Sequence, residues 1–246
     1  MSANGDLLVG CTGFVGQNLQ AARSFARGFH SRDIDDLRGA ACEQLWCAAM
    51  PGTKWKANQD PDGDRRSMER LQDVLGTVRC GAFVLISTID VMLDVPYGRH
   101  RREFEQWVAA RFAAHCVVRL PALFGRGLKK NVLFDLLTGN MVDRIHPGDA
   151  YQWYDLADLV ADVEVARRAG AREVDLYTEP VENQELLAMF PGVTRGAPER
   201  APQRYAHRSQ QAGLFGRDDY VRSADEMRGR IAAFVAGVRA GTVTIG

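Results

Sequence analysis

Ten residues near the start of the chain restrict its fold more than any others: Leu7-Leu8-Val9-Gly10-Cys11-Thr12-Gly13-Phe14-Val15-Gly16. The apolar triplet predicts a short strand, and Val15 to Ala22 beyond it predicts a helix. Glycines at this G-x-x-G-x-x-G spacing let the backbone turn sharply and let helix pack on strand. The same turn presents free helix N–H groups, and the positive end of the helix dipole, to an anion. Gly10, Thr12, Gly13, Phe14, Val15 and Gly16 are therefore the expected pyrophosphate-binding residues of a dinucleotide site. The plainer reading of the same residues is a tight strand–helix turn with no ligand.

The pattern beyond the turn alternates short apolar runs with amphipathic stretches. Ser24–Phe29, Gln44–Cys47, Ala82–Ile86 and Cys116–Leu120 read as strands, the last stopped by Pro121. Arg65–Val78 reads as a helix with Met68, Leu71, Val74, Leu75 and Val78 on one side. Gly98–Phe112 reads as another, with Phe104, Trp107, Val108 and Phe112 inward. This βαβ rhythm predicts an α/β fold, a Rossmann-like doubly wound parallel sheet with helices on both faces. After about residue 126 the rhythm loosens. A short helix is expected at Asn131–Leu137, a longer one at Leu156–Arg168, and a late strand at Val174–Tyr177. A loop-rich stretch over 191–223 and a final helix over Ser223–Val238, N-capped by Ser223, follow. The expectation is a dinucleotide-binding core over 1–126 and a small C-terminal substrate-binding portion over 127–246, packed as one continuous domain.

The second strand should end roughly 20 residues after the first glycine, where a dinucleotide ribose is read. Ser31 and Arg32 stand there and suit a 2′-phosphate, which favours NADP over NAD. The alternatives are that Arg32 is a solvated loop residue and that Asp33 or Asp35 caps the next helix. Cys47, Ala48 and Ala49 follow the third strand, and loops at carboxyl strand ends line the ligand crevice of such folds.

Three further segments resemble the extended short-chain dehydrogenase/reductase superfamily, the sugar epimerase/dehydratase group. Phe83-Val84-Leu85-Ile86-Ser87-Thr88-Ile89-Asp90-Val91 resembles its fourth-strand motif. Pro96-Tyr97-Gly98-Arg99-His100-Arg101 resembles its Tyr-x-x-x-Lys helix. Val118-Arg119-Leu120-Pro121-Ala122-Leu123-Phe124-Gly125 resembles the stretch after its fifth strand. The resemblance implies an NAD(P)-dependent oxidoreductase or epimerase working on a carbonyl or secondary alcohol, with a nucleotide-linked sugar as substrate. By motif position Tyr97 is its acid/base, Thr88 holds the same oxygen, and Ser87 and Leu120 lie near the cofactor. Asp90 lies where dehydratases of the group carry an acid, although Ile89 fills the neighbouring acidic position and argues against 4,6-dehydration. Arg101 stands where the group has its lysine. Arginine supplies the positive charge but is bulkier, presents a planar fork and does not lose its proton. That departure motivates a second reading, a dinucleotide-binding sensor or scaffold without turnover. A third keeps the fold and runs a non-redox lyase or isomerase reaction through Asp90.

Lys54, Asn58, Asn131, Trp153 and Arg208 are candidates for substrate contact, each also readable as an ordinary surface or core residue. Lys and Arg total 31, as do Asp and Glu, so no global field favours nucleic acid. No apolar run is long enough for a membrane span, and Met1–Asp6 lacks the basic start of a signal peptide, so a cytoplasmic protein is expected. The five cysteines have no C-x-x-C spacing and read as reduced thiols. The widely spread histidines show no zinc-site spacing, and no metal is expected. The family's habit of pairing through the helix that carries the tyrosine suggests a homodimer.

Overall fold

The computed structural model describes residues 5–193 and 198–246; residues 1–4, and residues 194–197 within the expected loop-rich stretch, lie outside it. The elements of the first half are β1 (Leu7–Val9), α1 (Phe14–Ala22), β2 (Arg27–Phe29), β3 (Ala41–Cys47), α2 (Lys54–Gln59), α3 (Pro61–Leu75), β4 (Arg79–Thr88), α4 (Pro96–Arg111) and β5 (His115–Leu120). Then come β6 (Ala122–Phe124), α5 (Val132–Thr138), β7 (Ala150–Asp155), α6 (Leu159–Arg168), β8 (Glu173–Asp175), β9 (Pro180–Glu182), α7 (Asn183–Leu187) and α8 (Ala224–Arg239). They form two compact units. The first holds residues 1–119 and 159–174, and the second 120–158 and 175–246.

In the first unit the strands belong to a six-stranded sheet of order β2-β1-β3-β4-β5-β8, and β2, β1, β3 and β4 pair in parallel. This is the Rossmann-like α/β fold. Its central strands are apolar on both faces through their middles. Leu7, Val9, Leu45, Cys47, Phe83 and Leu85 join Met68, Leu71, Val74, Leu75, Phe104 and Val108 in one core. The intervening Leu8, Trp46 and Val84 are equally inaccessible. That double burial explains near-continuous hydrophobic runs where a half-solvated strand would alternate. The helix faces expected from periodicity are those that pack inward. α3 starts where Pro61 takes the first helical position and the Asp60 carboxylate accepts the Gly63 N–H at 2.9 Å.

Chain order reverses at β1. The chain passes to β2 on one side and to β3 on the other, which makes the carboxyl ends of β1 and β3 the switch point of the sheet. The Gly10 turn lies at that end, where the Ala48 N–H donates to the Val9 carbonyl at 2.8 Å.

The second unit is built on a three-stranded sheet, β6-β7-β9, with β7 parallel to β6 and antiparallel to β9. The loop-rich stretch is anchored along β7. Ala150 N–H donates to Gln203 O, Tyr205 N–H donates to Ala150 O, and the buried Gln152 amide donates to Thr178 O and His207 O. α8 begins at Ser223, whose hydroxyl accepts the Glu226 N–H at 3.3 Å, the cap expected from sequence. Among the described residues no helix is long and apolar enough to cross a membrane.

Candidate functional site

The glycine-rich turn closes as its spacing requires. Gly10 has φ +88, and a Cβ there would sit 2.4 Å from the Ala48 carbonyl oxygen. A Cβ on Gly16 would meet the Gly10 oxygen at 2.1 Å, so α1 approaches the turn at a distance only glycine allows. Gly10 and Cys11 N–H groups both donate to Phe29 O, at 2.8 and 3.1 Å, and Gly13 N–H to Gly10 O at 3.0 Å. No side chain caps α1 and its first turn holds no acidic residue, which leaves the initial N–H groups of Phe14, Val15 and Gly16 available to an anion. Thr12 and Gly13 are exposed above them. Gly16→Ala should therefore push α1 off the turn, lowering stability by about 1–3 kcal/mol and abolishing dinucleotide binding. Thermal melting and calorimetric titration check this, and a variant that melts and binds like the wild type would refute it.

At the end of β2, Ser31 and Arg32 are exposed. The Asp33 carboxylate already accepts the His30 N–H at 2.7 Å and faces the His30 ring at 3.6 Å. It serves the local turn. At the end of β3, the Cys47 side chain is in the core, where burial pushes its thiol up to about 12. Ala48 and Ala49 are half-buried and form the rim against Gly10.

A second cluster lies at the carboxyl end of β4. Thr88 N-caps the 3₁₀ turn Ile89–Met92, accepting the Asp90 N–H at 3.2 Å. Its own hydroxyl hydrogen remains to donate, and the Thr88 side chain lies near enough to the Tyr97 phenol to favour its ionised form. Tyr97 is held there from three sides. Pro96 takes the first position of α4. The Asn58 side-chain oxygen accepts the Tyr97 N–H at 3.0 Å. A Cβ on Gly98 would sit 2.3 Å from the Asp90 carbonyl oxygen, so a glycine lets α4 lie directly on the turn. Asn58 thus caps α4, a use that sequence reading did not foresee. Asp90 and Lys54, separate candidates in sequence, meet as an ion pair at 2.8 Å.

Arg101 is the main surprise. Its guanidinium lies over the Tyr97 ring, 4.1 Å from the centroid, where its charge helps the phenolate. Yet it is only 3% exposed and committed to two partners, the Asp64 carboxylate and the Pro51 carbonyl. The same Asp64 oxygen takes His100 Nδ1 at 2.8 Å. Arg101 is therefore committed inside the protein, in a buried pair with α3. The net effect on Tyr97 follows. Burial raises its phenol pKa; Arg101 and the Thr88 side chain lower it, Asp90 and Asp64 raise it, and it stays above the ordinary tyrosine value.

The remaining candidates have partners or positions of their own. The Ser87 hydroxyl donates to buried Glu105 at 2.5 Å, which Arg119 also clamps. Leu120 is buried at the end of β5. In the second unit, Asn131 caps α5 by accepting the Phe134 N–H at 3.1 Å and donates its amide to Leu123 O at 2.8 Å. Trp153 is 1% exposed in β7, so its rings fill that unit's core and offer no stacking platform. Arg208 is exposed and pairs with Asp219 at 3.3 Å. Among the described residues no group of His, Cys, Asp or Glu is arranged to hold a metal.

The first unit thus defines a class: a doubly wound α/β protein with a glycine-rich switch-point turn and a Thr–Tyr pair at the end of its fourth strand. More particularly, the chain has the fold of extended short-chain dehydrogenases/reductases. A UDP-glucose 4-epimerase from Thermotoga maritima superposes with TM-score 0.70 at 13% identity, covering 97% of this chain and 99% of that one. A UDP-N-acetylglucosamine 4-epimerase from Methanobrevibacter ruminantium gives TM-score 0.72 at 8% identity, covering 98% and 100%. A dTDP-glucose 4,6-dehydratase from Streptomyces venezuelae, solved with NAD, gives TM-score 0.68 at 15% identity, covering 97% and 98%. At these identities the likeness is one of fold. No protein-family model matches the chain, and no curated protein matches it.

Proposed function

We propose that this protein is a nicotinamide-dinucleotide-dependent oxidoreductase or epimerase acting on a carbonyl or secondary alcohol of a nucleotide-linked sugar. The observation that carries the reading is Tyr97, buried at the start of α4 beneath the Arg101 guanidinium and beside Thr88 at the end of β4, the strand next but one to β1 and its Gly10–Gly16 turn. Solved structures that share the fold include nucleotide-sugar epimerases and dehydratases, some of them solved with NAD. The turn fits a dinucleotide, because its glycines leave the uncapped start of α1 open to a pyrophosphate. Exposed Ser31 and Arg32, with Asp33 engaged by His30, favour NADP over NAD. When bound, the nicotinamide supplies hydride exchange at its C4.

Tyr97 moves the proton. With its pKa above the ordinary value, the phenol is protonated at neutral pH and ready to donate to a substrate oxygen. Carbonyl reduction is therefore the favoured direction. Alcohol oxidation needs the phenolate, whose fraction grows about tenfold per pH unit below the pKa. The oxidation rate should climb steadily through pH 7–9 while the reduction rate stays level. An oxidation profile that is flat from neutral pH would contradict the role given to Tyr97.

The decisive test is calorimetric titration with NAD⁺, NADH, NADP⁺ and NADPH. Micromolar binding is expected, tighter for the phosphorylated pair. Binding of none would remove the oxidoreductase reading. One observation favours a second reading, a dinucleotide-binding sensor. Arg101 is held on Asp64 and Pro51 and is only 3% exposed. Dinucleotide binding without turnover on any of a panel of nucleotide-sugars, unchanged in Arg101→Lys, would favour it.

A further inference from the structure

Two of the five cysteines stand apart from the rest. Cys11, Cys47 and Cys116 are buried, whereas Cys42 and Cys80 are partly exposed. Cys42 and Cys80 are direct Cα partners in the parallel β3–β4 ladder. In-register partners put both side chains on one face of the sheet, and neighbouring strands lie about 4.7–4.9 Å apart, inside the Cα span a disulfide accepts. Each thiol is the largest influence on the other's ionisation. Both lie near the amino ends of their strands, at the end away from Cys47 and Thr88.

We propose that Cys42 and Cys80 form a redox-modification site, oxidised to an intramolecular disulfide by a low-molecular-weight disulfide such as oxidised glutathione. Cys80 is the attacking sulfur. The Cys42 thiol and the Arg111 charge favour its thiolate, so its pKa falls, while Cys42 is raised by Cys80, by burial and by Asp6. The Cys80 thiolate attacks one sulfur of oxidised glutathione, the S–S bond breaks, and one glutathione leaves as its thiolate. Cys42, losing its proton to solvent, then attacks the Cys80 sulfur of the mixed disulfide and expels the second glutathione. The protein loses two electrons and two protons, and the oxidant becomes two glutathione thiols.

The test incubates the full-length protein with oxidised glutathione, alkylates the remaining thiols without denaturation or reduction, and maps the peptides by mass spectrometry. Cleavage after Glu43 separates Cys42 from Cys47. The expected product is a Cys42–Cys80 cross-linked peptide two hydrogens lighter than its parts, with no retained glutathione. In Cys42→Ser the reaction should stop at a glutathione adduct on Cys80. The proposal is overturned if the wild type keeps both thiols alkylatable, if it retains glutathione on Cys80, or if the Cys42→Ser variant carries no adduct. The wild-type map stands even if a variant fails to fold. Dinucleotide titration of the same samples is a separate reading and does not bear on this outcome.

Discussion

Tyr97→Phe is expected to cut turnover by about 10²–10⁴-fold and to leave dinucleotide affinity unchanged. The substitution removes one oxygen. The ring keeps its buried position at the start of α4, and Arg101 still lies over it at 4.1 Å. The Asn58 contact uses the backbone N–H, so the helix cap survives as well. What disappears is the proton and the influence of Thr88 on it. Steady-state kinetics beside calorimetric titration separate the two effects. Wild-type turnover in Tyr97→Phe would mean that another group moves the proton.

Asp64→Asn should have the largest effect on stability. Asp64 and Arg101 side chains are each 3% exposed, and removing one charge leaves the other desolvated without a counter-ion. Breaking a buried pair in this way costs about 3–5 kcal/mol, or roughly 6–20 °C in melting temperature for a chain of this size. His100 loses its carboxylate partner at the same time. Asp64→Asn combined with Arg101→Met should recover much of the loss, because no uncompensated charge remains. The single variant has a second signature. Asp64 raises the Tyr97 pKa, so removing its charge lets that pKa fall and moves the alcohol-oxidation profile to lower pH. A single variant with unchanged melting temperature would show that the pair does not hold α3 and α4 together.

The features legible in the sequence are those set by neighbours in the chain. Glycine at 10, 13 and 16, between an apolar triplet and a helical stretch, specifies its turn through local backbone geometry. Runs such as Phe83–Ile86 and the face of Met68, Leu71, Val74 and Leu75 carry the period of their elements, so strand and helix followed from spacing. Ser223 needed only Glu226 three residues on. The second unit was harder to read. β6 and β9 are three residues each, too short to show a period, and β7 owes its pairing to segments well removed from it.

Site chemistry was divided the same way. Thr88 and Tyr97 stand out because each lies in a contiguous segment that resembles a motif of a known superfamily. The state of Arg101 does not, because its partners, Asp64 on α3 and the Pro51 carbonyl, lie far along the chain and nothing local marks them. Asn58, Asn131 and Ser87 carry side chains equally suited to a ligand or to the fold, and only packing showed them capping helices or holding Glu105. Residue type and short-range spacing set what a side chain is able to do. Which partner it takes depends on which distant groups folding desolvates beside it, since a buried polar atom must find its partner there.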